Sequence, residues 1–165
     1  MPATSIPTET RGGRRARLTH IELLLTAGHF TDRMDAVCRV HGITMQQYTV
    51  LFVLCLHDNA ADGVPMGAIA DGQVNRASDA TRLVNRLVAA GLAERLPNPI
   101  DRRVVRVRAT ARGQHTFESA AADVLAFHQT EWHHLTLAEV DHLYHLLIKA
   151  RWGSSDPLTT HQETP

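Results

Sequence analysis

The chain has 165 residues, 44% of them hydrophobic and 21% charged, enough for one ordinary domain with its own core and too few for two full-sized domains joined by a long linker. These fractions lie near the globular average and exclude wholesale disorder, collagen-like and low-complexity classes, and no apolar run approaches the roughly 18 residues of a membrane span. The 17 basic and 17 acidic residues cancel overall but not locally, because residues 66–112 carry a net +5, residues 18–65 a net −3 and residues 113–165 a net −5. The cations of that basic third are all arginine, whose planar fork suits phosphates and guanine edges.

Residues 1–17 are rich in Pro, Gly and Thr, lack an apolar period, and read as a disordered basic arm carrying Arg11, Arg14, Arg15 and Arg17. No apolar h-region precedes a cleavage site there, so a cytoplasmic protein is expected. Thr19-x-x-Glu22 matches a capping box, and Leu18, Ile21, Leu24, Leu25, Met34, Val37 and Cys38 recur at helical spacing to about Val40. After His41-Gly42, Thr44-x-x-Gln47 is a second box. It opens a helix with Tyr48, Leu51, Val53, Leu54 and Leu56. Pro65 suits the first turn of a short third helix to Ala70. A fourth spans about Ala77 to Ala90, with Ala80, Val84, Leu87 and Val88 on one face and Gly91 as its C-cap.

The period then changes. Leu92 to Leu96 and Val104 to Ala109, separated by breakers from Pro97 to Pro99, predict a two-stranded hairpin in which Val105, Val107 and Ala109 alternate with Arg106 and Arg108. A fifth helix is expected from Ala111 to about His134, and Thr136-x-x-Glu139 starts a sixth, with Val140, Leu143, Leu146, Leu147 and Ala150 on one stripe to Trp152. Residues 153–165 read as a disordered tail. Three helices followed by a hairpin within about sixty residues is the winged form of the helix-turn-helix, whose last helix before the hairpin enters the major groove.

Particular residues carry a more specific likeness. Ile69-Ala70, Thr81-Arg82-Leu83-Val84-Asn85-Arg86-Leu87, Ala90-Gly91-Leu92-Ala93-Glu94-Arg95, Asp101-Arg102-Arg103 and Thr110-x-x-Gly113 together resemble the MarR family of bacterial transcription regulators, as does the Gly42-Ile43-Thr44-x-x-Gln47 entry to the second helix. The likeness runs from Leu18 to Trp152. It implies a mainly α fold: a winged helix-turn-helix with a two-stranded wing over residues 44–110, and dimerisation helices over 18–43 and 111–152. It further implies a homodimer on double-stranded DNA, reading a pseudo-palindrome with half-sites about one helical turn apart.

Arg82 and Arg86 stand one turn apart, opposite the apolar face. Arg82 is the expected guanine reader, by the bidentate contact to O6 and N7. Ala77, Ser78 and Asp79 are small or short enough for close approach to base edges, and Asp79 is placed to orient Arg82 or accept from cytosine. The resemblance implies that Asp101 steadies Arg103 in the minor groove, with Arg102 and Arg106 as phosphate contacts. Gln73 and Asn75 depart from the Leu usual in the family.

The resemblance also implies a small aromatic or acidic effector between the dimerisation helices and the winged part, where His29, Cys38, Tyr48, Phe52 and Phe117 are candidate lining residues. Eleven histidines raise a metal reading. No His-Glu-x-x-His occurs, although His142 and His145 lie three apart beside Asp141, and His41 and His115 fall where some relatives sense zinc. Neither a metal nor another cofactor is expected, nor an enzyme. Cys38 and Cys55, in apolar surroundings, read as inert thiols. The alternatives are a metal- or redox-responsive regulator of the same fold, and a winged-helix adaptor that binds protein.

Overall fold

A computed structural model describes residues 10–57, 60–71, 78–97 and 105–152. The elements run α1 (Arg11–Val40), α2 (Met45–Leu56), β1 (Val64–Pro65), α3 (Met66–Asp71), α4 (Ser78–Ala89), β2 (Ala93–Pro97), β3 (Val105–Ala109), α5 (Ala111–Glu131) and α6 (Leu137–Trp152). The chain divides into two compact units, Met1–Val124 and Leu125–Pro165. No helix among the described residues is long and apolar enough to cross a membrane.

The first helix corrects the sequence reading. It starts at Arg11, inside the expected basic arm, and its cap is Thr10, whose extended backbone lets Oγ1 accept from the Gly13 amide at 3.0 Å. Thr19 is an interior residue, donating its hydroxyl to the Arg15 carbonyl at 3.0 Å. The turns from Arg11 to Arg17 hold no apolar stripe, so periodicity gives no sign of them, although arginine is a good helix former. The remainder of the arm, residues 1–9, and the tail 153–165 lie outside the described residues.

At its other end α1 closes in a Schellman cap. Gly42, at φ +74°, donates to the Arg39 carbonyl, and Ile43 donates to that of Cys38, with both apolar side chains buried. The reversal delivers the chain into the Thr44–Gln47 capping box, whose two reciprocal hydrogen bonds both form. Asp35 adds a tie from α1, its Oδ1 accepting from the Met45 amide at 2.8 Å and its Oδ2 from Arg39 Nε at 2.6 Å. The bond from the Met45 amide is the main reason that its carboxyl titrates below the ordinary value of 3.8.

The core of the first unit gathers Val50, Leu51 and Leu54 of α2, Val64, Ile69 of α3, Val84 and Leu87 of α4, and Val107 of β3, all fully buried. Each such side chain contributes about 1.5 to 3 kcal/mol when taken out of water. The expected hairpin forms, with Arg95 opposite Val107 and Glu94 opposite Arg108, but the sheet has a third strand. β1 pairs antiparallel with the free edge of β3, giving the order β1-β3-β2. A two-residue strand is too short to show alternation, and Pro65 at its end lacks the amide a longer ladder needs.

In the second unit, α5 stops at Glu131 and leaves His133 and His134 in a turn rather than on the helix. The Thr136–Glu139 box is present, with Thr136 donating to Glu139 Oε2 at 2.8 Å and the Glu139 amide donating back at 3.3 Å. No residue of α6 is buried.

Candidate nucleic-acid interface

The amphipathic pattern of α4 decides which way its arginines face. Ala80, Leu83, Val84 and Leu87 are buried, which turns Thr81, Arg82, Asn85, Arg86 and Ala89 to solvent on the opposite side. Ser78 and Asp79 form the helix's first turn, and their side chains lie outside the described residues, as do Ala77, Asp101, Arg102 and Arg103 altogether. The orienting of Arg82 by Asp79 therefore stays an expectation.

The end of α4 is held by the residues of the Gly-Leu and Thr-x-x-Gly motifs. Gly91, at φ +69°, donates to the Val88 carbonyl and Leu92 to that of Leu87, a second Schellman cap. Thr110 then clasps this cap to the start of α5. Its amide donates to the Leu92 carbonyl at 3.1 Å and its hydroxyl to that of Gly91 at 2.7 Å, while its Oγ1 accepts from the Gly113 amide at 3.0 Å. The backbones approach so closely that a Cβ on Gly113 would lie 1.9 Å from the Leu92 carbonyl oxygen. These motif residues are structural: they fasten the end of α4 to the start of α5.

The wing has its own ties. Arg108 donates twice to Glu94 Oε1, from Nε at 3.0 Å and Nη2 at 2.7 Å, and once to the Ala61 carbonyl at 3.2 Å, so it braces the sheet. Arg106, expected to be a phosphate contact, is half-buried between its cross-strand neighbours Pro65 and Leu96, and its Nε is buried without a hydrogen bond. Arg95 reaches from β2 to the exposed face of α4, donating from Nη2 to Asn85 Oδ1 at 2.6 Å. The sequence reading assigned no role to Asn85, Arg95 or Arg108, since each acts through a partner ten or more residues away. The one available sign was Asn85's position three residues after Arg82 on the same face.

Of the five effector-pocket candidates, three meet ring to ring, and Cys38 shares the core cluster of Tyr48 and Phe117. Tyr48 and Phe117 stack with ring centroids 5.5 Å apart, and Phe52 meets Phe117 edge-on at 6.1 Å. Tyr48 and Phe117 are buried, whereas Phe52 is 47% exposed. Cys38 is part of the core, and burial pushes its thiol up to about 11. His29 is exposed and lies against its neighbour Phe30. Among the histidines weighed for metal, His41 Nε2 lies 2.8 Å from Asp123 Oδ2 on α5, His115 is exposed, and His145 is 3.7 Å from Asp141. Among the described residues no group of three or more His, Cys, Asp or Glu side chains is placed to hold a metal ion.

Comparison with known proteins follows the same lines. The model of the MarR family matches residues 41–104. The HTH-type transcriptional repressor IacR of Pseudomonas putida is 26% identical over 120 residues, covering 73% of this chain and 70% of IacR. A MarR mutant of E. coli solved with operator DNA is 30% identical, with a TM-score of 0.68 over 78% of this chain and 91% of that one. CouR of Rhodococcus jostii, solved with p-coumaroyl-CoA, shares the fold at a TM-score of 0.68 and 21% identity, covering 83% of this chain and 94% of CouR. The chain belongs to the MarR family of winged-helix, DNA-binding transcription regulators.

Proposed function

We propose that the chain acts as a homodimeric repressor that binds a pseudo-palindromic operator through α4 and the wing, and is released by a small aromatic or acidic ligand. The observation that carries the DNA contact is the two-faced α4: Arg82 and Arg86 are exposed on a helix whose other face is fully buried, within the basic third of the chain. In this reading Arg82 reads guanine with Arg86 beside it on the same face, Arg103 steadied by Asp101 enters the minor groove, Arg102 and Arg106 hold phosphates, and Ser78 and Asp79 approach base edges with the first turn of α4. The operator-bound E. coli relative supports it.

The homodimer is supported by apolar surface left without cover. Leu18, Ile21, Leu23, Leu24 and Leu25 are exposed on α1, and Leu137, Tyr144, Leu146 and Trp152 on α6. α2, at about 18 Å, is far shorter than α1 at about 45 Å and covers only its C-terminal part around Met34, Val37 and Cys38. A second copy would bury such stripes symmetrically.

The ligand reading rests on the family and on CouR's p-coumaroyl-CoA. Tyr48, Phe52 and Phe117 are its candidate contacts here, and their rings must part to admit a guest. A ligand releases DNA only by as much as it prefers the non-binding dimer, and full release from 1:99 to 99:1 takes about 5.5 kcal/mol of differential affinity. Burial of Cys38 argues against the redox-responsive alternative.

The test is selection of bound fragments from sheared genomic DNA by the purified chain. The reading expects enrichment of one pseudo-palindrome, and expects Arg82→Ala to relax preference at one base pair per half-site. No enrichment, with binding insensitive to salt or absent, would favour the adaptor alternative.

A further inference from the structure

Asn85 occupies the middle of the exposed face of α4, three residues after Arg82 and next to Arg86, with Leu83, Val84 and Leu87 buried behind it. Its partner Arg95 stands on β2 opposite Val107, so the hydrogen bond of 2.6 Å between them joins the helix to the wing sheet. An arginine side chain has five N–H donors and no acceptor. The atom of the Asn85 amide turned toward Arg95 is therefore the carbonyl oxygen, a conclusion that chemistry fixes without seeing a hydrogen. The amide nitrogen, with its two N–H groups, is left to face outward.

A free asparagine reads adenine by a paired contact, its nitrogen donating to N7 while its oxygen accepts from the N6 amino group. At Asn85 a charge-assisted bond takes one of that oxygen's two lone pairs and holds the oxygen toward Arg95 on β2, so that the amide meets a base with its N–H groups first. The two purines share N7 and differ at position 6, where guanine offers an acceptor and adenine a donor. We propose that Arg95 acts as a positioning residue that makes Asn85 a donor-only contact, so that the base facing it is selected as guanine and adenine is disfavoured. This rests on the proposed DNA-binding role of α4, and it assigns specificity to a pair that lies outside the arginines expected to read the operator.

Duplexes enriched from a random library by the full chain, then varied one base pair at a time, provide the test. At the base pair whose preference is lost in Asn85→Ala, the wild type is expected to favour guanine over adenine by at least about fivefold. Arg95→Met frees the Asn85 oxygen and is expected to shift that one position toward adenine, whereas Arg95→Lys, which can still donate, keeps guanine. Asn85→Asp preserves the tie to Arg95 as an ion pair and so guards against a folding failure. Having lost its donors, it should abandon guanine for cytosine, whose N4 amino group donates to a carboxylate. Uniform weakening at all positions in Arg95→Met and Asn85→Ala, with no change in base preference, would overturn the inference while leaving the DNA-binding role intact. A wild-type chain that enriches no sequence would overturn both.

Discussion

Adding one methyl group at Gly113 tests how tightly the clasp between α4 and α5 is built. In Gly113→Ala the new Cβ would start 1.9 Å from the Leu92 carbonyl oxygen and 2.8 Å from its carbon. These are backbone atoms, which cannot rotate aside as a flexible side chain would. Reaching even 3.0 Å forces the start of α5 and Leu92 apart by about 1.1 Å, a movement shared by the three hydrogen bonds of Thr110. Overpacking of this kind costs about 1 to 3 kcal/mol, and weakening one of those bonds adds about 1 kcal/mol. A loss of about 2 to 4 kcal/mol is therefore expected, a large share of ordinary domain stability, with Tm falling by about 5 to 15 °C for a chain of this size. Urea denaturation followed by far-ultraviolet circular dichroism, at one fixed chain concentration, measures it. Gly67→Ala is the control, because a Cβ there meets nothing within 4 Å, and helix propensity predicts a gain of up to about 1 kcal/mol. A Gly113→Ala protein within about 0.5 kcal/mol of wild type would refute the clasp.

Asp35 titrates lower in the folded than in the unfolded chain, so its charge stabilises the fold above the ordinary value of 3.8 and that contribution is lost as pH falls through the depressed folded value. Asp35→Asn should accordingly be less stable than wild type at pH 7, by about 1 kcal/mol, with the gap closing below pH 4; a gap that is constant across acid titration would count against it. Cys38, with its thiol raised to about 11 by burial, should resist iodoacetamide in the native chain at pH 8 and react once the chain is unfolded in urea, whereas rapid native alkylation would contradict the packing around it. Replacing the exposed Arg11 and Arg15 of the first helical turns by Gln should weaken binding to all DNA alike and flatten the salt dependence, by about 0.9 in log-log slope for each phosphate that is no longer neutralised. An unchanged slope would mean that this end of α1 does not reach DNA.

Local chemistry was readable in advance and distant pairing was not. The Thr44 and Thr136 boxes and the Gly91 cap depend on residues close together in sequence and appear in the structure, and β3 forms where the alternation of Val105, Val107 and Ala109 places it, although of its five residues Val107 alone is buried and Arg106 and Arg108 are as half-buried as Val105 and Ala109. The start of α1 escaped because Arg11 to Arg17 has no apolar residue to mark a face other than Ala16. Periodicity also misjudged α2. That helix is apolar nearly all round, so the stripe named Leu56, which is exposed, and passed over Val50, which is fully buried. Gly113 could be noticed as part of a motif, but its reason, the carbonyl of Leu92 beneath it, exists only once α5 folds back. The pairing of Asn85 with Arg95 likewise needs the sheet in place before it can be seen.

The most direct test of the account is a titration of the purified chain against one enriched duplex and against a scrambled duplex of the same composition, at physiological salt, with stoichiometry measured in the same experiment. The account predicts two chains per duplex and an affinity at least about a thousandfold higher for the enriched sequence, falling toward the scrambled value in Arg82→Ala. Equal affinity for the two duplexes, or one chain per site, would contradict it.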